Sequence, residues 1–169
     1  EAYPHIKVNY STYDSNETLY TKLSNGGITV DVIIPSDYMI ARMINEDMLL
    51  ELDFDNIPNF SNVDDQFVNP GYDPENRYSV PYTWGTVGIL YNKTMVDEAP
   101  TSWGALWDEK YKDNIIMMNS QRDAIGITLK YLGHSLNTTD AAALQAAKQK
   151  LIDQSPLVLT WVVDEVKDK

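Results

Sequence analysis

The sequence predicts an α/β protein built as two successive lobes, on three observations. Residues 6–34 read as strand, helix, strand; residues 114–161 take up the same alternation again; and hydrophobic residues at 43% with charged residues at 22% match an ordinary globular chain. With 169 residues the chain is long enough for two small lobes without disulfide or metal staples.

Ile6 to Tyr10 alternates and is rich in β-branched residues, so it reads as a strand. Asp14-Ser15-Asn16-Glu17 follows, where Asp or Ser can cap a helix and Glu17 stands three after Asp14. Leu19, Tyr20 and Leu23 form that helix's apolar stripe, and Asn25-Gly26-Gly27 ends it. Ile28 to Ile34 is a nearly continuous apolar run, as expected of a parallel strand buried on both faces. Pro35-Ser36-Asp37 then opens a second helix with Met39, Ile40, Met43 and Ile44 at helical spacing. Ligands of open α/β sheets collect at such strand-to-helix turns, which makes Ser36 a candidate by position.

Residues 53–78, rich in Asp, Asn, Pro and Gly, read as a long irregular connection. Tyr78 to Thr83 and Val87 to Tyr91 are strand-like. Beyond the polar connector Asn92–Pro100, a short helix is expected over Ser102–Trp107, a strand over Asn114–Met118 and a capped helix over Ser120–Leu132. Thr139–Ile152 reads as an Ala-rich helix with Leu144, Ala147 and Leu151 inward, Leu157–Trp161 as a strand, and Val162–Lys169 as the opening of a further helix. The expected lobes are 1–95 and 96–169.

The net charge is −12, of which residues 1–95 carry 14 acidic and 5 basic side chains and residues 96–169 carry 11 and 8. A phosphate backbone would be repelled, so nucleic acid is not an expected partner, while cations are accommodated easily. Ordinary solvation also accounts for acidity of this size. Without cysteine there are neither disulfides nor thiolate metal sites. No apolar run is long enough to span a bilayer. Glu1-Ala-Tyr-Pro-His has neither an initiator Met nor a basic N-terminal segment, so the chain reads as trimmed, with no signal segment of its own.

The two histidines, His5 and His134, stand in no metal or triad pattern, and no catalytic residue is expected. Asp53-Phe-Asp55-Asn56 begins like a calcium loop, but Pro58 holds the place of the turn glycine and Asp64 that of the closing Glu, so no metal is expected there. Gly26-Gly27 lacks the spacing of a phosphate cradle, and no cofactor is expected. Ser120-Gln-Arg-Asp123 has two readings: a capping box shortened from Glu to Asp, or a first-turn carboxylate available to an ammonium group. Tyr82 and Trp84 likewise either pack between strands or cover a ligand's methylenes and charge.

Four ordered motifs, Tyr10-Ser-Thr-Tyr-Asp-Ser-Asn-Glu-Thr-Leu-Tyr20, Asp31-Val-Ile-Ile-Pro-Ser-Asp-Tyr38, Pro81-Tyr-Thr-Trp-Gly85 and Gly133-His-Ser-Leu-Asn-Thr-Thr-Asp140, resemble the spermidine/putrescine-binding proteins of polyamine ABC transporters. Thr101-Ser-Trp-Gly-Ala-Leu-Trp107 adds a fifth segment shared by related solute-binding proteins. The resemblance implies a two-lobed periplasmic-binding-protein fold of type II, incomplete at both ends, with a polyamine in an interlobe cleft, permease subunits as partners and no catalysis. It implies an extracytoplasmic location, in a periplasm or lipid-anchored at a cell surface.

By the same resemblance Ser36 and Tyr38 match ligand-contacting positions after the second strand, and Asp123 matches an acidic position on the first turn of the second-lobe helix. Ser120 stands where spermidine binders of the family carry an Asp, which removes one charge, and Trp84 matches a family Trp near the crossover. Family chains are longer, so the residues read as a fragment that lacks the first lobe's first strand and its returning C-terminal segment and holds less than half of the ligand contacts. Edges exposed by that loss are expected to promote self-association. The same scaffold carries other cargoes, namely sugars, ferric ions and other organic cations, and a carboxylate-dependent hydrolase is the reading from another class.

Overall fold

The computed structural model describes residues 3–163, which divide into two compact units between Gly85 and Thr86. Of the helix opening expected at 162–169 only Val162 and Val163 are described, and Val162 ends a strand instead of starting a helix; the rest lies outside the described residues.

The first unit is organised by two helices. Helix α1, Asn16–Ser24, is capped by Ser15, whose Oγ accepts the Thr18 N–H at 3.1 Å. Its end is a Schellman turn: Gly27 N–H donates to Lys22 O and Gly26 N–H to Leu23 O, with Gly26 at φ +67°, a region a side chain would resist. Helix α2, Asp37–Asn45, shares a core with α1 in which Leu19, Met39 and Met43 are buried and Tyr13, Tyr20, Ile33 and Tyr38 pack around them. The 53–78 connection folds as a string of short 3-10 turns. At its end the buried Asp73 carboxylate accepts the Ser79 hydroxyl at 2.6 Å and the Tyr78 N–H at 3.1 Å, fixing where the 78–84 segment departs.

On the outer face of the helix pair, Arg42 lies 3.7 Å from the Tyr20 ring centroid and bonds Glu46 at 2.9 Å, and the Tyr20 hydroxyl donates to Glu46 at 2.6 Å. The Tyr20 hydroxyl first, then Arg42, holds the Glu46 carboxyl below its ordinary range. A carboxylate with a lowered folded value stabilises above its unfolded value and loses that contribution as pH falls through the folded one. An NMR titration of Glu46 is therefore expected to show a midpoint below that of free glutamate, returning toward it in Tyr20→Phe. An unshifted midpoint in the unmutated chain counts against the tie.

The second unit contains the ladder. Strand β1, Ile115–Met118, and strand β2, Val158–Val162, pair in parallel, with Ile115 opposite Val158 and Met118 opposite Val162 and an irregularity after Ile115. Helices α3, Gln121–Tyr131, and α4, Ala141–Gln154, connect them, as a parallel pair requires. Ile115, Met117 and Leu157 form one buried cluster, and Leu129, Ala143 and Ala147 form another between the helices. Ala147 is inward as expected, but Ala143 takes the place expected of Leu144, which is 39% exposed. Two alanines in register let α3 approach α4 closely, and the Leu144 face turns away.

The stretches 6–10, 28–34, 78–83 and 87–91 form no strand and join no ladder among the described residues, with bends at Asp31 and Tyr78, contrary to the strands expected there. An apolar, β-branched run favours extension, whereas a strand also needs a neighbour to take its N–H and C=O groups. Leu90 is 98% exposed and Val32 80%, as befits segments without a neighbour on that side.

Candidate functional site

Ser36 and Tyr38 meet the first turn of α1. The Tyr13 hydroxyl donates to Ile34 O, which brings the end of the 28–34 segment against the start of that helix. The Ser36 N–H then donates to Asn16 Oδ1 at 3.2 Å, and Asn16 Nδ2 donates to Ser36 Oγ and to the Tyr38 hydroxyl, each at 3.0 Å. The Tyr38 hydroxyl donates to Glu17 Oε1 at 2.9 Å. Ser36 is the N-cap residue of α2 but makes no side-chain cap bond; Asp37 Oδ1 instead accepts the Tyr38 N–H at 2.7 Å.

The corner is acidic, with Asp14, Glu17 and Asp37 in or beside it. Burial first, then the charges of Asp37 and Asp73, pushes the Tyr72 phenol up. Sequence reasoning left the cap to Asp14 or Ser15, with Glu17 three after Asp14. The cap is Ser15, which places Glu17 one position too early to close the box and leaves its carboxylate for Tyr38. The available signal was four consecutive polar residues where a cap needs one or two.

Trp84 belongs to the first unit, 68% exposed, with its ring 5.7 Å from that of Phe67. Tyr82 is also exposed, and neither ring lies between paired strands. The alternative in which both pack between strands therefore falls.

Ser120 and Asp123 lie together in the second unit, where β1 runs into α3. Asn119 N–H donates to Val162 O at 2.7 Å, extending the ladder to the turn. Ser120 Oγ accepts the Asp123 N–H in a long bond of 3.4 Å. The reciprocal half of a capping box, Asp123 carboxylate to Ser120 N–H, is absent, and among the described residues that half-buried carboxylate has no hydrogen-bond or ion-pair partner. Aspartate is one methylene shorter than the glutamate such boxes use. Arg122 on the same turn donates to Asn137 at 3.1 Å, which ties down the 133–140 loop.

Among the described residues no cluster of His, Asp and Glu is suited to a metal, and no helix is long and apolar enough to cross a membrane. The family model for bacterial extracellular solute-binding proteins matches residues 1–167.

The chain belongs to this family. The spermidine/putrescine-binding periplasmic protein of Escherichia coli is 39% identical over 161 residues, covering 94% of this chain and 46% of that protein. A solved chain from Listeria monocytogenes superposes with a TM-score of 0.92 at 43% identity, over 98% of this chain and 52% of the other. The spermidine/putrescine ABC transporter substrate-binding protein of Streptococcus pneumoniae is 44% identical over 99% and 52%, with a TM-score of 0.74. This solute-binding protein chain thus has the fold of those transporter components and spans about half their length.

Proposed function

We propose that the whole protein captures polyamines outside the cytoplasm and delivers them to the permease of an ABC transporter, without catalysing a reaction. The observation that carries this reading is the Asp123 carboxylate, half-buried and uncommitted on a helix whose cap is supplied by Ser120. A carboxylate held at a helix N-terminus already interacts favourably with the dipole, so an arriving cation must gain more from the charge than it loses to about half a positive charge at the helix end. A charge-assisted hydrogen bond from an alkylammonium group meets that demand. Ser36 and Tyr38 supply hydroxyl contacts, Ser120 a neutral one, and Trp84 an exposed face for methylenes. The lobes assigned to this reading are 1–95 and 96–169. Polyamine binding by the relatives from Escherichia coli and Streptococcus pneumoniae supports it.

Calorimetric titration of the whole protein with spermidine and putrescine, with magnesium as a charge control, tests the reading. Saturable heats with either amine and none with magnesium support it. Absence of heat with both amines leaves the fold in place and removes the cargo.

Residues 1–169 alone expose apolar side chains such as Val8, Val32 and Leu90, and we expect them to associate reversibly as concentration rises. Sedimentation velocity over a concentration series checks this, and a single monomer boundary throughout would overturn it.

A further inference from the structure

The chain has one Asn-Gly pair, Asn25-Gly26, and it stands at the end of α1. An asparagine side chain followed by glycine is open to attack by the next backbone nitrogen, because no Cβ shields that nitrogen. Both residues are exposed, and a Cβ built on Gly26 would meet no atom within 4 Å, so the surroundings give no shield either. The backbone, however, is turned away from reaction. Asn25 has ψ 2°, so the Gly26 nitrogen eclipses the nitrogen of Asn25 and stands to one side of Cβ, whereas closing a ring onto Cγ requires it over Cβ. The Gly26 N–H is also committed to Leu23 O at 3.0 Å, and the Gly27 N–H beside it donates to Lys22 O at 2.9 Å. Attack requires that proton removed and that peptide rotated, and the turn opposes both.

We infer that Asn25 is a latent deamidation site, held closed by the turn that ends α1 and reactive only when that turn opens. Hydroxide takes the Gly26 amide proton, the nitrogen lone pair forms a bond to Asn25 Cγ, and the Cγ–Nδ2 bond breaks to release ammonia. The cyclic imide so formed has no N–H at Gly26, and the bond to Leu23 O is lost. Water then opens the imide, giving aspartate when it adds at Cγ and isoaspartate when it adds at the main-chain carbonyl. Isoaspartate lengthens the main chain by a methylene, so the two glycine N–H groups no longer meet their carbonyls. Either product sets a carboxylate against the negative end of the helix dipole. The isoaspartyl chain cannot rebuild the turn, and the opening becomes permanent in the helix that places Leu19 in the first unit's core. None of this depends on the polyamine reading.

Tryptic cleavage after Lys22 and Arg42 yields residues 23–42, in which Asn25 is the only side-chain amide. Mass spectrometry of that peptide follows the conversion of amide to acid at one mildly alkaline pH, with the whole protein either folded or unfolded in guanidinium chloride. We expect conversion in the folded protein to be about ten-fold slower or more, since the reaction waits on a local opening. Gly27→Pro deletes the N–H that bonds Lys22 O and leaves Asn25-Gly26 intact, so it should speed conversion in the folded protein and not in guanidinium.

Thermal melting shows whether that variant folds. Should it not, Gly27→Ala carries the same test with a smaller acceleration, because its Cβ would stand 3.3 Å from Lys22 O and press on the turn. Equal rates in the folded and unfolded protein overturn the inference, as does a folded rate that the variant leaves unchanged or an absence of conversion in guanidinium. The isoaspartyl protein is expected to melt below the unconverted one. Equal melting would show that the turn survives the reaction and would overturn its permanence.

Discussion

Asp123→Asn in the whole protein is expected to weaken polyamine binding by about 1–3 kcal/mol while leaving the melting temperature almost unchanged. The substitution keeps the shape of the side chain and removes its charge. Nothing among the described residues is bonded to that carboxylate, so the folded chain loses only its favourable interaction with the helix end, about 0.3–1 kcal/mol at most. Ser120→Ala should behave the other way. It removes the oxygen that accepts the Asp123 N–H and should cost about 1 kcal/mol of stability, less if the 3.4 Å bond is weak, with a smaller effect on affinity. Calorimetry and thermal melting on both variants check the pair. If Asp123→Asn lowers stability and leaves affinity intact, the carboxylate is a cap and the ligand role assigned to it is wrong.

Trp107→Ala is expected to destabilise the second unit by about 3 kcal/mol. The Trp107 ring stacks on Tyr131 of α3 with centroids 4.7 Å apart and planes within 9°. Its Nε1–H donates to Lys150 O of α4 at 2.8 Å, and the Lys150 ammonium lies 5.2 Å from the Tyr131 ring. One side chain thus joins the 101–107 segment to both helices. Trp107→Phe keeps an aromatic face and loses the N–H, so about 1 kcal/mol is expected from it. Denaturant unfolding of the two variants distinguishes stacking from the hydrogen bond. Equal losses would mean that the stack contributes little.

The helices were legible because their signals are local. Asn25-Gly26-Gly27 stops α1 by a turn that depends on one residue's backbone freedom, and Leu132-Gly133-His134 stops α3 with the same pair of bonds. Ser120 caps as its position implies, β1 falls within the stretch marked for it, and β2 overlaps its stretch but runs one residue past it, to Val162. In the first unit the stretches 6–10, 28–34 and 78–83 carry a strand-like pattern but form no strand among the described residues. Pairing is made with residues far away in the chain, and an apolar run such as 28–34 carries no information about whether a neighbour is there. In α4 a shift of one residue, Ala143 for Leu144, turned the packing face, because both positions are apolar and only the closeness of α3 decides between them.

The candidate site divides in the same way. The amino-acid sequence alone determined that Ser36 and Tyr38 stand at the start of one helix and Asp123 on the first turn of another, and that the chain is acidic enough to attract cations, since caps, turns and charge are properties of short stretches. Only the tertiary structure decided that Asn16 and Glu17 join Ser36 and Tyr38, and that Ser120 supplies the cap while the Asp123 carboxylate is left uncommitted. A hydrogen bond has one partner for each proton, and which partner that is depends on the distances the fold creates between residues some twenty positions apart.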